Sequence, residues 1–321
     1  MSHLEAAVQP SSSADCDPPA AAPIAQRVPA RSAEVGEGLR IQRALPARQR
    51  RLVGAWCFLD HIGPADLAGT RGLRVGPHPH IGLQTVTWLI EGEILHRDSL
   101  GSLQPIRPGQ LNLMTSGRGI SHSEESPSPG PSQIHGLQLW IALPNAARTM
   151  APAFDHYPSL PTITRGGASV TVLAGEAMGE RSPAAVHSPL VGLDLRMEPG
   201  SSMRLPLRPE FEYGALVTQG ALTAGGEPLA PGTLLYLGRG RDELSMISSA
   251  GARAVLLGGE PLGETVLMWW NFVARTRLEI LQACQDWNEH AAYLGEVDGY
   301  DGARLVAPLP PWAAGAPDAA G

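Results

Sequence analysis

Turn-forming residues interrupt this chain so often that few stretches are left for long helices, and this punctuation constrains the fold more than any other feature. Gly and Pro supply 37 and 30 of the 321 residues. Between them lie short, strand-like apolar runs at residues 84–90, 110–114, 137–143, 170–173, 191–197 and 254–257. Such regular spacing predicts a mainly β chain built as barrels or sandwiches. The length suits two cores better than one. A degenerate repeat points the same way: Pro108-Gly109 opens an apolar run ending at Gly117-Arg118-Gly119, and Pro231-Gly232 opens another ending at Gly238-Arg239-Gly240.

Composition excludes several functions. The net charge is −7 with no basic run, which argues against direct nucleic-acid binding. No apolar segment approaches the roughly 20 residues that span a bilayer, and no export signal opens the chain, so a cytoplasmic protein without membrane contact is expected. Cys16, Cys57 and Cys284 are few and scattered, which speaks against a disulfide framework. Residues 1–24, rich in Ala, Ser and Pro, read as a disordered tail. Thr276-Arg277-Leu278-Glu279 is a capping box and predicts a helix over 276–287 packed against a barrel.

The histidines are unevenly placed. Seven of ten fall between positions 61 and 156, and none lies between His187 and His290. Within that cluster His78-Pro79-His80 and His122-Ser123-Glu124 are both i, i+2 pairs. Alternate side chains of a strand share a face, so each pair can aim two ligand atoms at one point. Without a bulge, the parity of His78 and His80 continues through Gln84 to Val86, Trp88 and Ile90. That alternation predicts that all of them face the barrel interior. Buried imidazoles and a carboxylate are costly without a partner, and a cation removes the cost. Three histidines and a glutamate leave open positions on a six-coordinate ion, which favours iron(II), with manganese, cobalt, nickel, copper or zinc as alternatives. Glu124 is the candidate base as well as a ligand. His61, His96 and His135 read as surface groups or as groups behind the ligands, with His96 best suited to orient one. Trp88, Met114 and Trp140 read as core, Cys57 as a small buried apolar residue, and Gly117 and Gly119 as turn residues.

The run from Leu59-Asp60-His61 through Gly76-Pro77-His78-Pro79-His80 to Gly117-Arg118-Gly119-Ile120-Ser121-His122-Ser123-Glu124 resembles the pirins, a bicupin branch of the cupin superfamily. The resemblance extends to His135–Trp140, Phe211-Glu212-Tyr213 and Gly258–Gly263. It implies two cupin (jelly-roll-like) β-barrels in tandem: an N-terminal metal barrel over 25–165 and a metal-free one over 166–265. A strand and short C-terminal helix would follow over 266–300, then a tail over 301–321. It also implies a metal on His78, His80, His122 and Glu124. Gln84 departs from the general cupin pattern, which has a glutamate near this position, and Ile81 and Leu83 replace the more usual Arg and Phe. Two functions follow from the resemblance: ring opening of a flavonol such as quercetin with O2 and release of carbon monoxide, or metal-dependent regulation of a protein partner without turnover.

Overall fold

The computed structural model describes residues 24–314, so the readings for 1–23 and 315–321 lie outside the described residues. Two barrels are each made of one seven-stranded and one four-stranded antiparallel sheet. The large sheet of the first barrel runs, edge to edge, Ala153–Tyr157, Leu111–Thr115, Leu83–Glu91, Gln133–Ala142, Trp56–Asp66, Leu39–Leu45 and Arg31–Val35. Its small sheet runs Arg74–His80, Ile120–Glu125, Ile94–Asp98 and Leu103–Ile106. The second barrel repeats both orders. Its large sheet is Gln26–Pro29, Thr233–Gly238, Glu212–Gly220, Ala252–Gly259, Leu190–Met197, Ala168–Ala174 and Thr162–Arg165, and its small sheet is Ser201–Pro206, Glu243–Ser248, Leu222–Ala224 and Glu227–Leu229. The two Pro-Gly repeats thus introduce strands that hold the same position, second from one edge of their large sheets. Each apolar run named from sequence lies largely or wholly within a strand of these large sheets.

The barrels pack back to back through the outer faces of their large sheets. Trp56, Leu59, Val86, Trp88, Leu111, Leu113, Leu137 and Leu139 of one meet Leu216, Leu234, Tyr236, Val255 and Leu257 of the other. Both faces of these sheets are therefore buried, and seven consecutive residues from Leu83 to Leu89 are inaccessible.

Three expectations need correction. The first barrel does not begin at residue 25: Gln26–Pro29 pairs with Thr233–Gly238 in the second barrel, placing Val28 in the core between the barrels. It fills the edge position that Ala153–Tyr157 fills in the first sheet. A four-residue edge strand carries no local signal for which distant sheet it joins. At the other boundary, the strand before residue 166 also belongs to the second sheet, because Thr162–Arg165 forms a hairpin with Ala168–Ala174.

Residues 301–310 are not a tail. Leu305 N–H donates to the Pro77 carbonyl at 2.8 Å, Trp287 Nε1 to the Leu305 carbonyl at 2.7 Å, and Asn288 brackets Ala307 with two bonds of 3.0 Å. This strap crosses the mouth of the first barrel, and its short, Pro-interrupted sequence around Leu305 carries no strand or helix pattern.

The helix Arg277–Asn288 has the expected capping box on Thr276 and Glu279. It buries Ile280, Ala283, Cys284 and Trp287 against Trp270 and Phe272 of the preceding hairpin, Leu267–Trp269 with Phe272–Ala274. Among the described residues no helix is long and apolar enough to cross a membrane.

Candidate metal centre

Arg74–His80 and Ile120–Glu125 pair so that His122 stands opposite His78 and Ile120 opposite His80. Alternation along both strands turns the imidazoles into the first barrel. The route by which the sequence reading placed them there does not hold. The strand ends at His80, and Ile81-Gly82 turns the chain into the other sheet. Gly82 has φ +69°, and a side chain there would collide with the Val273 carbonyl. Past the turn the parity is inverted. Val86 and Trp88 face the second barrel, Gln84 bonds to Thr115 Oγ1 and the Ala185 carbonyl at 2.9 Å each, and Thr87 and Leu89 face the interior. Gln84 is therefore remote from the imidazoles, and its difference from the cupin glutamate does not bear on their chemistry.

His78, His80 and His122 bring ring nitrogens within 4.8 Å of one another, and all three are buried. Hydrogen-bond partners assign the tautomers. His78 Nδ1 donates to the Gly76 carbonyl at 2.8 Å, and His80 Nδ1 to the Asn271 carbonyl at 3.0 Å. His96 Nε2 donates to Asp98 at 3.0 Å, and its Nδ1 stands 3.4 Å from His122 Nδ1. Nε2 of His78 and of His80 is then a bare lone pair, and Nε2 of His80 lies 3.0 Å from Nε2 of His122. Two nitrogens about 2.1 Å from one ion and about 90° apart stand about 3.0 Å from each other, so the donor set fits a divalent cation.

Burial drives the pKa of His78 down to about 4 and those of His80 and His122 well below the usual value, so all three are neutral donors at pH 7. Glu124 lies beside this group. Its oxygen clusters with His122 and His96, not with all three imidazoles, and Oε1 is 3.2 Å from Thr87 Oγ1. Burial raises its pKa, offset in part by His96 and Thr87. For Asp98, burial would raise the pKa, but the bond from His96 and the bonds from Ser102 outweigh it. His96 stacks on Phe154 with ring centroids 4.3 Å apart and stands behind His122, as an orienting group would.

The four side chains line one cavity of about 80 Å³, room for a few waters. Its other walls include Phe58, Trp140, Trp270, Asn271, Leu305, Arg43, Asp60 and Gln138. Trp140, read from sequence as core, is a wall residue: it stacks on Phe58 at 3.9 Å and sets its edge against His80 at 5.0 Å. Trp270 and Asn271 sit at the tip of the hairpin that follows the second barrel, with Trp270 at φ +52°. No pattern in the sequence links that hairpin to the histidines. His61 and His135 are neither surface groups nor part of this centre; they are buried between the barrels, Nε2 to Nε2 at 2.9 Å. Cys57 is buried as expected, with its thiol pushed up to about 12.

Known proteins resemble this chain over both barrels. The family model described as Pirin matches residues 38–141, and that described as Pirin C-terminal cupin domain matches 192–292. A Pseudomonas aeruginosa protein provisionally named a quercetin 2,3-dioxygenase is 52% identical over 312 residues, covering 97% of this chain and 98% of its own. A pirin-like protein of Caulobacter vibrioides is 38% identical over 279 residues, covering 84% and 94%. The crystal structure of a quercetin 2,3-dioxygenase from Acinetobacter baumannii is 50% identical and superposes with a TM-score of 0.87 over 89% of this chain and 95% of that one. With both of its barrels matched, the chain belongs to the pirin family, bicupins of the cupin superfamily.

Proposed function

We propose that this protein is a metal-dependent dioxygenase of the quercetin 2,3-dioxygenase type, with His78, His80, His122 and Glu124 holding iron(II) in the first barrel. The observation that carries this reading is the convergence of the ring nitrogens of His78, His80 and His122, all buried, on one aromatic-walled cavity. The names given to the Pseudomonas and Acinetobacter relatives support the reaction class. When bound, the metal would supply Lewis acidity toward a substrate oxygen and redox contact with O2.

The remaining work falls to the chain. Gly76, Asn271 and the Asp98–His96 pair fix the ring orientations, which keeps the donor atoms in place without reorganisation. Glu124, buried beside the imidazoles, would take the hydroxyl proton of a flavonol, with Thr87 steadying the carboxylate. Phe58, Trp140 and Trp270 offer flat apolar surface and exclude bulk water.

The test is to load the purified chain with iron(II), measure metal per chain, and follow quercetin absorbance and O2 uptake together. Coupled loss of both is expected. Stoichiometric metal with no consumption of either reactant overturns the catalytic reading.

A further inference from the structure

A polar row crosses the interior face of the first barrel's large sheet. Arg43 pairs across the ladder with Asp60, Asp60 with Gln138, and Gln138 with Thr87, which reaches Glu124. Thr87 Oγ1 is also 3.0 Å from the Gln138 side-chain amide. At the far end of the row, the Arg43 guanidinium is held side-on by Asp60: Nε to Oδ1 at 2.7 Å and Nη2 to Oδ2 at 2.6 Å. Its face lies 4.4 Å above the Phe58 ring. Phe58 stacks on Trp140, and Trp140 meets His80, so one continuous wall of stacked groups joins the guanidinium to the imidazoles.

Stability does not explain this arrangement. A buried ion pair is often no better than apolar residues of the same volume. Arg31 also stands directly opposite Arg43 on the neighbouring strand, and like charges facing each other across a ladder are destabilising. Asp60 is bonded to Arg43 alone, and Arg31, exposed at the sheet edge, adds a second positive charge that acts on both. Among the described residues the hydrogen bonds of Arg43 go only to Asp60, through Nε and Nη2. Two Nη1 hydrogens remain unspent on a side chain that is 3% exposed and lines the cavity.

We propose that Arg43 is a specificity-determining residue that binds an anionic oxygen, a carboxylate or phenolate, on the end of a flat aromatic substrate remote from the metal. Asp60 and Phe58 fix the guanidinium plane in advance, and Arg31 supplies the charge surplus that makes an anion preferable to a neutral oxygen. The natural substrate is then an acidic aromatic carrying a metal-chelating oxygen pair. This inference rests on the proposed reading of the metal centre.

The experiment uses the metal-loaded full chain under nitrogen, so that binding is measured without turnover. The probes are 3-hydroxyflavone and its 4′- and 7-carboxylates, which share one chelating group, followed by their absorption shift and by tryptophan quenching. Wild type is expected to bind at least one carboxylate about tenfold more tightly than the neutral flavonol, a charge-assisted bond's worth. Arg43→Met should bring that ratio to about one. Because it strands a buried Asp60, the paired variant R43M/D60N, which removes both charges, is measured beside it. Arg31→Ala, at an exposed position, should lower the ratio severalfold. No preference in wild type, or an unchanged ratio in a folded R43M/D60N, overturns the proposal. A clear acid preference in a protein that never consumes O2 overturns the dioxygenase reading and leaves this one standing.

Discussion

The two barrels share one sheet order and differ in what fills them. The first turns His78, His80, His122 and Glu124 inward from its small sheet and keeps a cavity beside them. In the second, the corresponding strands Ser201–Pro206 and Glu243–Ser248 turn Leu205, Leu244 and Met246 inward, where they close against Leu193, Leu195, Phe211 and Leu256. A jelly roll can be stabilised by filling it or by giving its buried polar groups a partner, and here one chain does each once. Among the described residues, the hollow barrel also receives supports that the filled one lacks: the 267–274 hairpin, the helix behind it and the 301–310 strap all pack on its open side.

The strongest way to break this comparison is to remove a donor. His80→Ala should lower metal affinity by more than about 100-fold and abolish flavonol-dependent O2 uptake. Chelation of the wild type should lower its Tm in the same manner, because metal bound only to the folded state stabilises by mass action. Full metal content in His80→Ala, measured by elemental analysis, contradicts the assignment of this imidazole. The converse belongs to the filled barrel. Leu205 is wholly inaccessible, so Leu205→Ala should cost about 3 to 4 kcal/mol in chemical denaturation. Metal per chain should stay at the wild-type value.

The contrast between the barrels was visible in the sequence as a contrast in histidine placement, and the spacing of His78-Pro79-His80 and His122-Ser123-Glu124 was enough to bring those residues together. Period-two reasoning failed in the strand that follows. Because Leu83–Glu91 is covered on one face by its own barrel and on the other by the second, apolar residues occur on both faces and their alternation says nothing about which is inside. The same burial hid the role of Trp140, since a cavity wall and a core read alike in composition. Trp270, Asn271 and Leu305 reach the site from beyond the second barrel, a long-range association that no local pattern encodes. The capping box, by contrast, is local chemistry, and its helix was legible to within a residue.

Where the barrels meet, His61 and His135 offer a pH test of the seam. Burial, with a smaller contribution from His135, drives the His61 pKa from 6.5 to about 4. The folded state thus favours the neutral ring, and the stabilisation is present in full above about pH 6.5 and lost as pH falls toward 4. A shift of this size is worth up to about 3 kcal/mol. His61→Gln, compared with wild type by urea denaturation from pH 8 to pH 4, should show a shallower decline, because both proteins keep the other buried histidines. Parallel curves would place the acid sensitivity elsewhere.

The smallest expected effect tests whether the supports of the hollow barrel act on it alone. Thr276 accepts from Glu279 N–H at 3.2 Å, while Glu279 accepts from the Thr276 and Arg275 N–H groups and from Arg148 of the first barrel at 2.8 Å. Removing the cap by Thr276→Ala leaves one helix donor unpaired and should cost about 1 kcal/mol. The loosened helix packs on Phe272 and Trp270, and that hairpin carries the Asn271 carbonyl that fixes His80. Amide exchange should therefore quicken over 267–274 and over Arg74–His80 and remain unchanged over Ser201–Pro206. Equal quickening in both small sheets would mean that the helix stabilises the seam between the barrels, not the mouth of one.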